Sequence, residues 1–146
     1  MDNLLKINNG KSIDRKLIPD LSFAQFSDQV SDFLNNDGFV VQFFADPEEN
    51  RNRLYCVLRN EELYVTSTTV DDSFPSLTNS ASEKVHVFER EIAEQYGITP
   101  ADHPWLKMVR YHANYRGTAD VFGNDYNEDI PGNYPYFQVE GDAIHE

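Results

Sequence analysis

The chain is poor in cysteine, in basic residues and in long apolar runs, and each shortage argues against a class of function. Cys56 is the single cysteine among 146 residues, so no intramolecular disulfide forms and the chain's own cysteines cannot ligate an iron–sulfur cluster. Its strand-like apolar surroundings favour a buried, unreactive thiol. No segment approaches the roughly 20 apolar residues of a membrane-spanning helix, and residues 1–16 lack the apolar stretch of a signal peptide. We therefore expect a cytoplasmic protein without direct membrane insertion.

Basic residues number 12 against 25 acids, which gives a formal net charge of −13. This charge repels phosphate backbones and anionic membrane surfaces, so it argues against nucleic-acid binding. Solubility alone is the simpler explanation of the charge, and a basic partner is not implied. Hydrophobic residues at 40% and aromatic residues at 13% are typical of a globular chain that buries one core.

Motifs for catalysis, nucleotide binding and metal binding are also missing. The chain has neither a Gly-x-Ser-x-Gly elbow nor a glycine-rich nucleotide loop, and the Gly10-Lys11-Ser12 triplet lacks the preceding glycine and strand of a phosphate loop. His86 and Glu89 form an isolated His-x-x-Glu pair, far short of a metal signature. Glu89 and Glu91 border an apolar helical stripe, so burial could raise their pKa values for acid–base work, although salt-bridged edge residues are the simpler interpretation. We therefore predict no catalytic, cofactor-binding or metal-binding residue.

The apolar pattern predicts one helix followed by several strands. Ser22 and Gln25 form a capping box, and the helical stripe that follows ends at Asp37-Gly38. Buried or half-buried strands are predicted at 39–45, 53–59 and 63–68, with a short fourth strand at 74–77.

A second capping box, Ser80 and Glu83, predicts a second helix that ends at Gly97. Its apolar stripe leaves His86, Arg90 and Glu94 on the outer face, where Arg90 and Glu94 form an i,i+4 pair.

These elements predict an α+β fold in a single domain. A mostly antiparallel sheet of three to four strands packs with two main helices over residues 1–116, of which 1–20 form a polar leader. Residues 117–146 contain seven acids and no lysine or arginine. They are predicted to form an extended acidic arm or linker that lies over the domain or over a partner.

Residues 75–116 carry a composite pattern: a proline-serine-leucine strand, a helix with Glu-Arg-Glu, an aromatic-glycine-isoleucine end and a His-Pro-x-Leu loop. This pattern resembles the signature of the C subunit of bacterial NADH:quinone oxidoreductase, the respiratory complex I family. The preceding helix and strands follow the order of that family, so the resemblance extends over roughly residues 22–116. The matching residues are Pro75, Ser76, Leu77, Phe88, Glu89, Arg90, Glu91, Tyr96, Gly97, Ile98, His103, Pro104 and Leu106.

Two departures make the chain more similar to a related branch, the amino-terminal domain of energy-converting nickel–iron hydrogenase large subunits. Asp102 replaces the glycine that usually precedes His-Pro, and Trp105, Lys107 and Met108 replace the usual charged residues after it. Residues 134–146 are similar to the linker that leads into the metal-binding core of that branch. The chain ends without the Cys-x-x-Cys pairs of such a core, so it is either a separate subunit or a truncated fusion.

The resemblance implies a non-catalytic structural or assembly subunit that docks onto the large, metal-binding subunit of a hydrogenase or of complex I. It also implies a position peripheral to the inner face of the membrane, with nickel–iron or iron–sulfur centres in partner subunits and no cofactor in this chain. Tryptophan and arginine are enriched at interface hot spots, although Trp105 could equally cap its own core. A small enzyme using Glu89, Glu91 or His103 and a generic adaptor are the alternatives. The predicted partner-interface residues are Glu89, Arg90, Glu91, His103, Pro104, Trp105, Lys107 and Arg110.

Overall fold

Most strands join one sheet in the computed structural model, which describes residues 3–80, 82–110 and 121–122. The strands β1 (Leu5–Ile7), β3 (Phe39–Pro47), β4 (Asn52–Arg59) and β5 (Leu63–Val70) pair antiparallel in the order β1-β5-β4-β3. The two-residue strand β2 (Asp20–Leu21) pairs parallel with β5. This confirms the α+β class, and each of the first three predicted strands falls within an observed strand.

The polar leader contributes β1 and β2 to this sheet, which its composition did not predict. Both strands lie along the edge of β5 that is opposite β4. Side chains add to the pairing, because the hydroxyl of Ser67 donates to the Pro19 carbonyl at 2.7 Å and that of Thr68 donates to the Leu21 carbonyl at 2.9 Å. The leader is therefore tied to the sheet along most of the length of β5.

The helix α1 (Phe23–Asn35) begins and ends as the sequence predicts. The Ser22–Gln25 capping box is present, and the Gly38 amide donates to the Phe33 carbonyl at 3.1 Å, as in a Schellman cap. Asp37 has a φ of 60°. A Cβ on Gly38 would lie 2.3 Å from the Phe33 ring and 2.4 Å from its carbonyl oxygen, so this position requires glycine.

Two predictions about the segment after β5 are wrong in detail. The fourth strand, β6 (Ser73–Pro75), pairs parallel with β7 (Thr99–Ala101) in a separate two-stranded sheet. Leu77 begins a short helix, α2 (Leu77–Ser80), so the predicted cap residue Ser80 ends one helix and does not begin the next. A 3-10 turn at Glu83–Val85 follows, with Ser82 as its cap, and α3 (His86–Tyr96) ends at Gly97 as predicted.

The helices α1 and α3 and one face of the sheet enclose the core. Lys84 links the 3-10 turn before α3 to the C-terminal end of α1. Its Nζ donates to the carbonyls of Leu34 at 3.3 Å and Gly38 at 3.0 Å. Cys56 is fully buried, as expected, and this burial raises the pKa of its thiol. The largest fully buried side chains are Phe26, Phe43, Phe74, Leu54, Leu58, Leu77, Ile92, Ile98, Glu89, Glu94, Val30 and Val85.

The predicted acidic arm, residues 117–146, lies outside the described residues apart from 121–122. Within the described ranges, no helix has the length and apolar character to cross a bilayer.

Candidate functional site

Helix α3 carries Glu89, Arg90 and Glu91 at consecutive positions, and successive helical side chains are rotated by about 100°. The three side chains therefore point in different directions. Glu89 faces the turn between β6 and α2, Arg90 faces the loop after β7 (residues 102–110, called here the 102–110 loop), and Glu91 borders β3. The Glu-Arg-Glu motif thus joins α3 to the turn at residues 76–78 through Glu89 and to the 102–110 loop through both Arg90 and Glu91.

The Glu89 carboxylate is 0% exposed. Its Oε2 accepts hydrogen bonds from the hydroxyls of Ser76 at 2.7 Å and Thr78 at 2.6 Å, and its Oε1 accepts one from the Leu77 amide at 2.6 Å. Burial of a carboxylate is unfavourable unless such bonds replace its hydration. The carboxylate and the turn at residues 76–78 therefore stabilise each other.

The imidazole of His103 lies beside Glu89 and fastens the 102–110 loop to α3. Its Nδ1 accepts a hydrogen bond of 3.1 Å from the Trp105 amide, so this nitrogen carries no proton in the neutral ring. The Nε2 proton is then directed at the His86 carbonyl oxygen, 3.2 Å away, while Nε2 lies 3.7 Å from Glu89 Oε2. The side chains of His103 and Glu89 are both 0% exposed.

Arg90 and Glu94 bind the main chain of the 102–110 loop, which corrects their predicted place on a solvated outer face. The Arg90 guanidinium donates to the carbonyls of Lys107 and Met108, both at 2.7 Å. The Glu94 carboxylate accepts from the amides of Val109 at 3.1 Å and Arg110 at 3.0 Å. Arg90 is 8% exposed and Glu94 is 1% exposed. The prediction failed because the loop covers this helix face.

Trp105 lies on the outside of that loop and is 54% exposed. The Arg90 guanidinium carbon is 4.7 Å from the centre of its ring, and Lys107 Nζ is 5.4 Å from it. Both distances lie within the range of cation–π attraction. Two cations therefore contact the indole while much of its surface stays open to solvent.

Glu91 and Arg110 form an ion pair at one wall of a small cleft between β3 and α3. The cleft has a volume of about 190 Å³, and its other walls include Gln42, Phe44 and Gln95. The side chains of Glu91 and Arg110 are 34% and 30% exposed, respectively. Glu91 is thus a partly solvated, salt-bridged residue, as its simpler interpretation predicted.

The structure brings the eight predicted interface residues together in one region formed by α3 and the 102–110 loop. Pro104, Trp105 and Lys107 are exposed, while Glu89 and Arg90 are buried and bind other parts of the same chain. Contact of this region with a partner stays a prediction.

Sequence reasoning missed Glu94 and Thr78 as functional neighbours of this region. Glu94 is charged and occupies a helix position with the period of a solvated face, and Thr78 is not one of the residues that match the family pattern. Nothing in their local sequence signals that Glu94 binds the 102–110 loop or that Thr78 binds Glu89.

The acid–base alternative requires a pocket that opens onto Glu89, Glu91 and His103 together. Glu89 and His103 have fully buried side chains, and of the three only Glu91 lines the cleft described above. Among the described residues, no group of three or more histidine, cysteine or acidic side chains is placed to hold a metal ion.

Comparison with known proteins extends the resemblance well beyond the motif. The family model of the respiratory-chain NADH dehydrogenase 30 kDa subunit matches residues 19–129, that is 111 of the 146 residues. A search of curated proteins found no match. The matched range includes α1, the long strands of the sheet, α3 and the 102–110 loop. The chain therefore belongs to the family of the 30 kDa subunit of respiratory-chain NADH dehydrogenase, the C subunit of complex I, and is a subunit of a respiratory oxidoreductase complex.

Proposed function

We propose that this chain is a non-catalytic docking subunit that binds the large, metal-binding subunit of its complex. The proposed contact is formed by Pro104, Trp105 and Lys107, called here the Trp105 surface. The observation that carries the proposal is the half-exposed indole of Trp105, which Arg90 and Lys107 both contact and which lies on a loop whose main chain is bound to α3.

The geometry of the Trp105 surface supports this role in two ways. A tryptophan beside arginine has the composition of an interface hot spot, where a few anchors carry most of the binding free energy. In addition, Arg90 and Glu94 fix four consecutive main-chain groups of the loop before any partner arrives. Such preorganisation lowers the entropy lost on binding.

The same proposal includes the type of complex to which the chain belongs. The His-Pro-Trp-Leu-Lys sequence and the similarity of residues 134–146 to a linker favour an energy-converting nickel–iron hydrogenase over a quinone-reducing complex. The nickel–iron or iron–sulfur centres belong to partner subunits in either case. The chain then lies peripheral to the inner face of the membrane, held there by those partners.

The proposal is tested by tagging the chain in its native host and identifying co-purifying proteins by mass spectrometry. We expect a stoichiometric large subunit of the hydrogenase or complex I type. Cys-x-x-Cys pairs suited to nickel and iron in the captured subunit would select the hydrogenase. Recovery of the tagged chain without any such subunit would refute the proposal.

The Trp105 surface is tested in the same purification with Trp105→Ala. Removal of a hot-spot residue weakens binding by about 2 kcal/mol or more, which corresponds to roughly 30-fold. Leu17→Ala is the matched control, because Leu17 is also a large exposed apolar side chain, at 64% exposure, but lies in the leader. Equal capture by the two variants would show that Trp105 is not an anchor.

A further inference from the structure

The cleft between β3 and α3 contains a buried polar group without a partner. Gln95 lines this cleft and is only 7% exposed. Its side-chain nitrogen Nε2 has no hydrogen-bond partner within the described part of the molecule. A buried N–H group without an acceptor is destabilising, so an acceptor that enters the cleft from outside would stabilise Gln95.

The wall opposite Gln95 is the edge of a sheet. β3 is the last strand in the order β1-β5-β4-β3, and no strand of residues 3–80, 82–110 or 121–122 pairs with its outer edge. It is also the longest strand, with nine residues, and Phe39 and Val41 on it are 61% and 45% exposed. A long edge strand presents unpaired amides and carbonyls that can pair with another extended segment.

The chemistry of the cleft selects a neutral occupant. The two charged groups in its walls, Glu91 and Arg110, already pair with each other, and the remaining lining is largely aromatic and aliphatic, including Phe44 and Ile92. The volume of about 190 Å³ is several times the ~30 Å³ that a water molecule occupies in the liquid. One apolar side chain with a main-chain carbonyl beside it would fill that space.

We infer that an extended segment of the large subunit adds alongside β3, with a main-chain carbonyl accepting a hydrogen bond from Gln95 Nε2 and a neutral apolar side chain in the cleft. This inference rests on the proposed function and adds a second contact to the Trp105 surface. Both contacts involve α3, since Gln95 lies on it and Arg90 of the same helix supports Trp105.

The inference makes opposite predictions for folding and for assembly. Gln95→Met keeps the length of the side chain but removes the unpaired donor, so the isolated chain should unfold at a higher urea concentration. Capture of the large subunit should weaken by about tenfold, as expected for loss of one well-placed interface hydrogen bond. Thr66→Val is the matched control, because Thr66 Oγ1 is the other buried side-chain polar atom without a hydrogen-bond partner among the described residues, and it lies in β5. It should also raise the urea midpoint but leave capture unchanged.

The outcomes separate the two proposals. If the wild-type chain captures no large subunit, the proposed function is wrong and this inference is wrong with it. If the wild type captures the subunit and Gln95→Met captures it equally well, the inference alone is overturned. Equal weakening by Thr66→Val would also overturn it, because the effect would then not depend on the cleft.

Cross-linking identifies the occupant directly. A photo-reactive phenylalanine derivative placed at Gln42, an exposed residue of the cleft wall, should cross-link to one short segment of the large subunit within the purified complex. The same group at Glu61, exposed in the β4–β5 turn, serves as the control and should give no such product. A cross-link from position 42 only to residues of the same chain, or to a second copy of it, would overturn the inference.

Discussion

Replacing Glu89 tests whether the Glu-Arg-Glu motif mainly stabilises the fold of the chain. The carboxylate accepts three short hydrogen bonds from the Ser76 hydroxyl, the Thr78 hydroxyl and the Leu77 amide, and it is 0% exposed. The Thr78 amide donates a fourth, longer bond of 3.4 Å. Glu89→Gln keeps the shape but removes the charge. Hydrogen bonds to a charged group contribute about 1.5–3 kcal/mol, compared with about 0.5–1.5 kcal/mol for neutral pairs. Weakening three bonds by about 1 kcal/mol each lowers the free energy of unfolding by about 3 kcal/mol.

Glu89→Ala should be more severe. It leaves the Leu77 amide without its acceptor, frees both hydroxyls and opens a cavity, so we expect a loss of about 4 kcal/mol or more. Since a domain of this size is stable by only about 5–15 kcal/mol, this variant should lose between about a quarter and four fifths of its free energy of unfolding.

Urea titration of the purified chain measures both effects. Trp105 is the only tryptophan, so its fluorescence follows the 102–110 loop while circular dichroism follows the helices. With a slope of about 2 kcal/mol per molar urea, Glu89→Gln should lower the midpoint by about 1.5 M. Glu91→Gln is the control, because its ion pair with Arg110 is about one third exposed and such pairs contribute at most about 1 kcal/mol. Equal midpoint shifts for the two glutamine variants would refute the reasoning.

Three further predictions use the same titration. Asp102 has a φ of 59°, so Asp102→Ala should lower the free energy of unfolding by about 1 kcal/mol while Asp102→Gly changes it by less than about 0.5 kcal/mol. Gly38→Ala should lower it by about 2 kcal/mol or more, because the added Cβ would meet the Phe33 carbonyl at 2.4 Å; an unchanged midpoint would contradict the geometry. Burial raises the pKa of Cys56 above its ordinary value, so above pH ~9 the thiol ionises only in the unfolded chain. The free energy of unfolding should therefore fall by about 1.4 kcal/mol per pH unit. Cys56→Ala should lack this pH dependence.

The sequence predicted those elements whose residues carry their own local signals. The Ser22–Gln25 box marks the start of α1 because both partners lie within one turn, and Gly97, with a φ of 70°, ends α3 as a left-handed glycine does. The three long strands are continuous β-rich runs bounded by turn residues. Such features depend on neighbours along the chain, so they can be read without the fold.

Features that depend on distant contacts were not predictable from local patterns. β1 has only three residues and is stabilised by its pairing with β5. It lies within a leader of mostly polar residues, so no local pattern predicted it. The burial of Arg90 and Glu94 depends on a loop that begins more than ten residues after Arg90 and then folds back over the helix. A helix stripe shows which side chains are apolar but not which polar ones will be covered.

The pairing of the leader with β5 determines how many strands the sheet can still accept. β1 and β2 contribute three and two residues along one side, which leaves that side too short to template another chain. On the other side β3 offers nine residues that no other strand of the described part of the chain covers. A sheet with one long free edge binds a single neighbour and then stops growing. Removal of residues 1–21 would uncover the eight residues of β5 and give the sheet two such edges, which is the geometry of an open-ended filament.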